Sequence, residues 1–138
     1  MCGIVGYIGK KNAVDILIDG LKKLEYRGYD SSGIAIVDGA QLTVEKAEGK
    51  LVNLQEKIKD MCLNSHIGIG HTRWATHGRP SDANAHPHTS RNGKFAVVHN
   101  GIVENYLTLK ETYLAGEHFT SETDTEVVAH LLEKFYNG

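Results

Sequence analysis

The first six residues, Met1-Cys2-Gly3-Ile4-Val5-Gly6, hold the side chain best suited to covalent chemistry. Removal of Met1 would leave a thiol and a free α-amine on one residue. An unperturbed amine titrates near about 8 and a thiol near about 8.5, so near neutral pH one can act as base while the other acts as nucleophile. Taken alone, Cys2 reads more simply as a cysteine placed there by chance, buried or disordered, and the rest of the chain has to supply the support for chemistry.

Further reactive groups lie downstream. His71-Thr-Arg-Trp-Ala-Thr-His-Gly78 brings a guanidinium, hydroxyls, imidazoles and the single Trp together directly after an apolar run. Arg73 could clamp a carboxylate through two parallel N–H groups, with Thr76 adding a hydroxyl. The alternative is a surface loop whose Trp packs on the core. In His99-Asn100-Gly101, an Asn side-chain N–H and a glycine main-chain N–H can converge on one point, as an oxyanion site requires; an ordinary Asn-Gly turn would have the same sequence. Asp124 fits either a helix cap or a ligand for an ammonium group. The eight histidines raise the question of a metal, but their spacing matches no zinc signature, so no metal is expected.

These residues need elements to position them. Ile4, Val5, Tyr7 and Ile8 predict a buried strand starting at Cys2. Val14, Leu17, Ile18, Leu21 and Leu24 recur at helical spacing and predict a helix ending before Gly28. The run 33–37, Asp38-Gly39 and the alternating Leu42, Val44 and Lys46 predict a β-hairpin turning at Asp-Gly. Leu51, Leu54, Ile58 and Met61 predict a second amphipathic helix, with Cys62 a small core or helix residue. Residues 67–70 and 95–98 read as short strands, with the reactive residues on the loops that follow each. The Pro-, Asn- and His-containing stretch 78–93 between them reads as a long surface loop. Leu107, Leu109 and Leu114 suggest a short helix. A clearer one runs over 123–135, with capping chemistry in Ser121-Glu-Thr-Asp124 and Val127, Val128, Leu131, Leu132 and Phe135 along one side. Without a βαβ rhythm, these elements predict an α+β fold with helices over largely antiparallel sheet.

The composition is that of one soluble domain, 41% hydrophobic and 23% charged, with a formal charge of -2. No basic excess is available to neutralise phosphates, so nucleic acid is not an expected partner. No apolar run approaches the roughly 20 residues that span a bilayer, and the cysteine count offers no disulfide framework, so the expected location is cytoplasmic, with no membrane contact.

The motifs Cys2-Gly-Ile-Val-Gly, Glu25-Tyr-Arg-Gly-Tyr-Asp-Ser-Ser-Gly33, His71 to Gly78, Ala85-His-Pro-His88, His99-Asn-Gly-Ile-Val-Glu-Asn105 and Ser121-Glu-Thr-Asp-Thr-Glu126 occur in this order. Together they resemble the glutaminase domain of the glutamine:fructose-6-phosphate aminotransferases, class II glutamine amidotransferases of the N-terminal nucleophile hydrolase superfamily. The resemblance covers essentially the whole chain. It implies an αββα sandwich and hydrolysis of glutamine to glutamate and ammonia, without a cofactor, through a γ-glutamyl thioester on Cys2. Asn100 and Gly101 would hold the oxyanion, Arg73 and Thr76 the α-carboxylate and Asp124 the α-ammonium, while Trp74 and His77 would belong to a loop closing over glutamine. Arg27, Tyr29 and Asp30 would support Cys2 structurally.

The amidophosphoribosyltransferases, with different residues around Tyr26 and Trp74, are the alternative within the superfamily. The resemblance also implies that residues 1–138 are a truncated glutaminase domain with an incomplete sandwich. Fructose 6-phosphate would enter only through a C-terminal sugar-isomerase domain, and the full-length enzyme would be a homo-oligomer. Outside this family, a catalytically inert fragment and a hydrolase pairing Cys2 with a histidine base are the alternatives.

Overall fold

A computed structural model describes residues 2–25, 29–74 and 78–138. The expectations for Met1, Arg27, Thr76 and His77 therefore lie outside the described residues. The chain forms β1 (Gly3–Ile8), α1 (Ala13–Leu24), β2 (Ser31–Asp38), β3 (Gln41–Glu48), α2 (Leu51–Ile58), β4 (Ile67–Arg73), β5 (His88–Thr89), β6 (Ala96–Val97), α3 (Tyr106–Tyr113) and α4 (Thr125–Phe135).

A four-stranded antiparallel sheet runs β1-β4-β2-β3. Asp38 pairs with Gln41, so the hairpin turns through Gly39 and Ala40, with Gly39 at φ 61°. Asp38 is thus the last paired residue rather than part of the turn. Because side chains alternate across a strand, Val5, Ile34 and Ile36 share one face of the sheet, and α1 and α2 cover it. Leu17, Leu21, Leu51 and Leu54 fill this layer and are almost fully buried. The fit depends on absent side chains: a Cβ on Gly68 would lie 2.8 Å from Leu17 Cδ1, and one on Gly70 would lie 3.1 Å from Leu21 Cδ1. Asn12 caps α1 by accepting from the Val14 N–H at 3.2 Å, and Lys22 and Lys23 complement the helix dipole at its other end.

The opposite face meets a second sheet, β5-β6, on which α4 packs. The order is therefore helix, sheet, sheet, helix. Contact between the sheets is close at Gly33, where a Cβ would stand 2.1 Å from the His86 carbonyl oxygen. Any side chain there would collide with main chain.

Several expectations need correction. The stretch 78–93 is not a surface loop: Asn84, Ala85, His86, His88 and Ser90 are buried between layers, and β5 lies within it. α2 stops at Ile58 and a turn follows, leaving Met61 and Cys62 exposed. β4 extends through Arg73, so His71, Thr72 and Arg73 lie within a buried strand rather than on the loop after it. On α4 the apolar side is divided, with Val127 buried while Leu132 and Phe135 are exposed. No described helix is long and apolar enough to cross a membrane.

Candidate active site

The site forms where β1 begins, β4 ends and β2 begins. Cys2 is half-buried and held from several directions. The Gly3 N–H donates to Thr72 Oγ1 at 3.1 Å, and the Asn100 side-chain amide donates to the Cys2 carbonyl at 2.9 Å. The Trp74 N–H points at Cys2 Sγ from 3.1 Å, and the thiol faces the Trp74 carbonyl at 3.6 Å. Among the described residues, the hydrogen-bond partner of Sγ is thus main chain rather than an imidazole. The register Gly3↔Thr72 places the thiol beside the end of β4. A Cβ on Gly3 would meet Leu24 Cδ1 at 2.8 Å, so α1 packs directly behind the nucleophile candidate.

A cavity of about 240 Å³ opens beside Cys2 and is lined also by Arg73, Trp74, Gly101 and Asp124. This is below the roughly 300–1,000 Å³ of drug-sized sites and suits a small metabolite. A larger groove of about 690 Å³ between α1 and α2 holds none of these residues. Arg73 is 3% exposed; its guanidinium donates to the Gly78 carbonyl at 3.2 Å and lies 3.9 Å from the Asp30 carboxylate. Asp30 is thus paired with Arg73. Trp74 is half exposed at the cavity mouth.

Asp124 stands at the N-cap position of α4 without a side-chain capping bond. Its Oδ2 instead accepts from the Val103 N–H at 2.5 Å, joining the helix start to the loop that carries Asn100 and Gly101. Gly101 has φ 154°, a backbone conformation that side chains rarely adopt, and a Cβ there would lie 2.9 Å from the His99 ring, which would have to move. The capping chemistry around 121–124 works in reverse: the buried Glu126 carboxylate accepts from the Thr120 N–H at 2.8 Å and the Ser121 N–H at 2.7 Å, and from the Ser121 hydroxyl. Burial alone would raise its pKa, but the Ser121 and Thr120 donors outweigh this and hold the carboxyl below its ordinary value.

Beneath the cavity lies a group of buried imidazoles to which the sequence assigned no role. His71 stacks on His86 with ring centroids 4.3 Å apart, and His86 meets His88 edge-on at 4.5 Å. Burial pushes His71 down to about 4, against the opposing pull of its hydrogen bond to Asn100. His86 and His88 are also pushed down by burial, and neighbouring cationic groups add to it, so all three rings are neutral near pH 7. His88 shares a 2.7 Å hydrogen bond with Thr123 Oγ1. Asn84, also unmarked in the sequence reading, donates to the Arg79 carbonyl and Glu122 and accepts from the Glu122 N–H, joining the Arg73 and Asp124 regions. Alternation along β4 could have flagged His71, whereas nothing local marks Asn84.

The chain matches the glutamine amidotransferase domain over residues 44–137. It belongs to that family. It is 58% identical over 139 aligned positions to a glutamine-fructose-6-phosphate aminotransferase (isomerizing) of Clostridium tetani, covering 100% of this chain and 23% of the relative. An enzyme of the same name from Thermus thermophilus is 60% identical with the same coverage. The chain thus spans about a quarter of the length of these curated relatives. Among solved structures, the glutamine phosphoribosylpyrophosphate amidotransferase of B. subtilis superposes with a TM-score of 0.80 at 30% identity, covering 100% of this chain and 30% of that one. The α+β fold of the N-terminal nucleophile amidotransferases is therefore present. The amidophosphoribosyl branch, the alternative within the superfamily, is the more distant in sequence.

Proposed function

We propose that this domain hydrolyses the side-chain amide of free glutamine. The observation that supports this most is that Cys2, Gly101, Arg73 and Asp124 line one cavity, with the Asn100 amide bonded to the Cys2 main chain. Cys2 Sγ would attack the amide carbon, and the α-amine freed by loss of Met1 would take the thiol proton and deliver it to the departing nitrogen. Breaking the C–N bond releases ammonia and leaves a γ-glutamyl thioester. Water then cleaves the C–S bond, giving glutamate and restoring the thiol.

Charge develops on the amide oxygen in the tetrahedral intermediate. The second N–H of the Asn100 amide and the Gly101 N–H would meet it, a contribution of about 3–4 kcal/mol per donor in comparable sites. Arg73 and Thr76 would take the α-carboxylate and Asp124 the α-ammonium, so an amino acid lacking either group would be rejected. Trp74 and His77 would belong to the segment that closes over bound glutamine. By similarity to relatives named glutamine-fructose-6-phosphate aminotransferase, the ammonia would serve amination of fructose 6-phosphate in a further domain of a longer protein.

Glutamate release from glutamine tests the reading. Cys2→Ala is expected to abolish it while leaving the melting temperature close to that of the parent, and undiminished turnover would overturn the proposal. Intact mass tests the base, since retention of Met1 in an active preparation would exclude the α-amine.

A further inference from the structure

His71 opens the motif in which Arg73, Trp74, Thr76 and His77 have proposed roles above, yet it has none, and it is fully buried on β4. Its ring lies nearly parallel to that of His86, with 17° between the planes. The His86 main chain is in turn pressed on Gly33 of β2, leaving the stack little room to move. From this seat, His71 Nε2 lies 2.8 Å from Asn100 Oδ1, while Asn100 Nδ2 donates to the Cys2 carbonyl at 2.9 Å.

The two contacts admit one arrangement of protons. Oδ1 only accepts, so Nε2 carries the hydrogen. In the opposite arrangement a bare Nε2 would accept from the amide nitrogen, turning Oδ1 onto the Cys2 carbonyl, acceptor against acceptor. Burial keeps the ring neutral, so it has a single N–H to place. The tautomer of the buried ring and the direction of the amide are therefore coupled.

We infer that His71 is a positioning residue that acts through Asn100, holding the amide N–H groups toward Cys2, where the oxyanion would form. The inference rests on the glutaminase reading. His71 need not touch glutamine, so its loss should weaken the transition state rather than substrate binding.

The test uses the full chain with glutamine. His71→Leu removes the donor and is expected to lower kcat at least about tenfold while changing KM less than about threefold. His71→Gln carries an amide nitrogen near the Nε2 position and is expected to restore most of kcat. His71→Asn, whose nitrogen ends near Nδ1, is not. Nitrogen NMR of the unsubstituted protein is expected to show His71 as the Nε2–H tautomer, which also decides the matter if a variant fails to fold. Equal kcat losses in the Leu and Gln variants, an effect on KM alone, or the Nδ1–H tautomer would overturn the inference. Failure of the parent chain to release glutamate, or full activity of Cys2→Ala, would instead overturn the glutaminase reading, with the NMR result still reporting on the His71–Asn100 contact.

Discussion

The two sheet-and-helix layers solve the same packing problem by different means. Between α1, α2 and the four-stranded sheet the contact is apolar, with Leu17, Leu21, Leu51 and Leu54 at most 1% exposed. Around β5, β6 and α4 the buried residues are largely polar, including Asn84, His86, His88, Thr123, Asp124 and Glu126, while Leu132, Phe135 and Tyr136 are exposed. Apolar packing is non-directional and needs only volume and pattern. A buried polar layer is held by directional hydrogen bonds, each costly to leave unmade, and such a layer can aim side chains at a reacting atom. Two of the residues proposed to act on glutamine, Asn100 and Asp124, belong to the polar side, and Cys2 lies at the seam.

Leu17→Ala should show the largest loss in the apolar layer, about 2–5 kcal/mol, because both the burial and the fit against Gly68 disappear. Urea unfolding measures it, and a loss below about 1 kcal/mol would break the picture of a tightly filled layer. Gly33→Ala attacks the seam. Its Cβ would meet a main-chain oxygen at 2.1 Å, which no rotamer can avoid, so about 1–3 kcal/mol is expected, together with lower glutaminase activity as the His86 and His71 stack shifts. Full activity at parental stability would show that the sheets separate easily.

The polar layer alone should respond to acid. His71 titrates near 4 when folded and near 6.5 in the unfolded chain, so the unfolded state takes up its proton first. Stability from this ring is complete above about pH 6.5 and is lost as pH falls toward 4, by roughly 1–2 kcal/mol between pH 7 and 5.5. His86 and His88 shift in the same direction and deepen the loss. Urea midpoints across this range check it, and a flat profile would contradict burial of neutral rings. The smallest effect is expected at Leu132, 45% exposed on α4, where Ala should cost under about 0.5 kcal/mol. A cost above about 1 kcal/mol in the full chain would mean that this face is covered there, sharpening the contrast between layers.

How much of this was legible in the sequence follows the same division. The strand at 3–8, the helix at 13–24 and the hairpin announce themselves because apolar periodicity is a local signal, although β1 lies at the edge of its sheet with Ile4 and Ile8 exposed rather than buried as its composition predicts. Stretch 78–93 reads as a surface loop because Pro, Asn and His carry loop propensities, while their burial depends on partners such as Thr123 and Glu122, far along the chain. Arg73 reads as a loop residue because its charge masks strand alternation, yet it is the last residue of β4.

By itself, the sequence determined the family, the α+β class and the residue types proposed for the chemistry, because ordered motifs and local periodicity survive without coordinates. Tertiary structure alone decided that Arg73 and Asp124 face one cavity with Cys2, that Asp124 braces the Asn100 loop rather than capping its helix, and that His71 stands behind the Asn100 amide. The physical reason is direction. A hydrogen bond depends on where two distant atoms finally lie, and no local pattern in the chain records that.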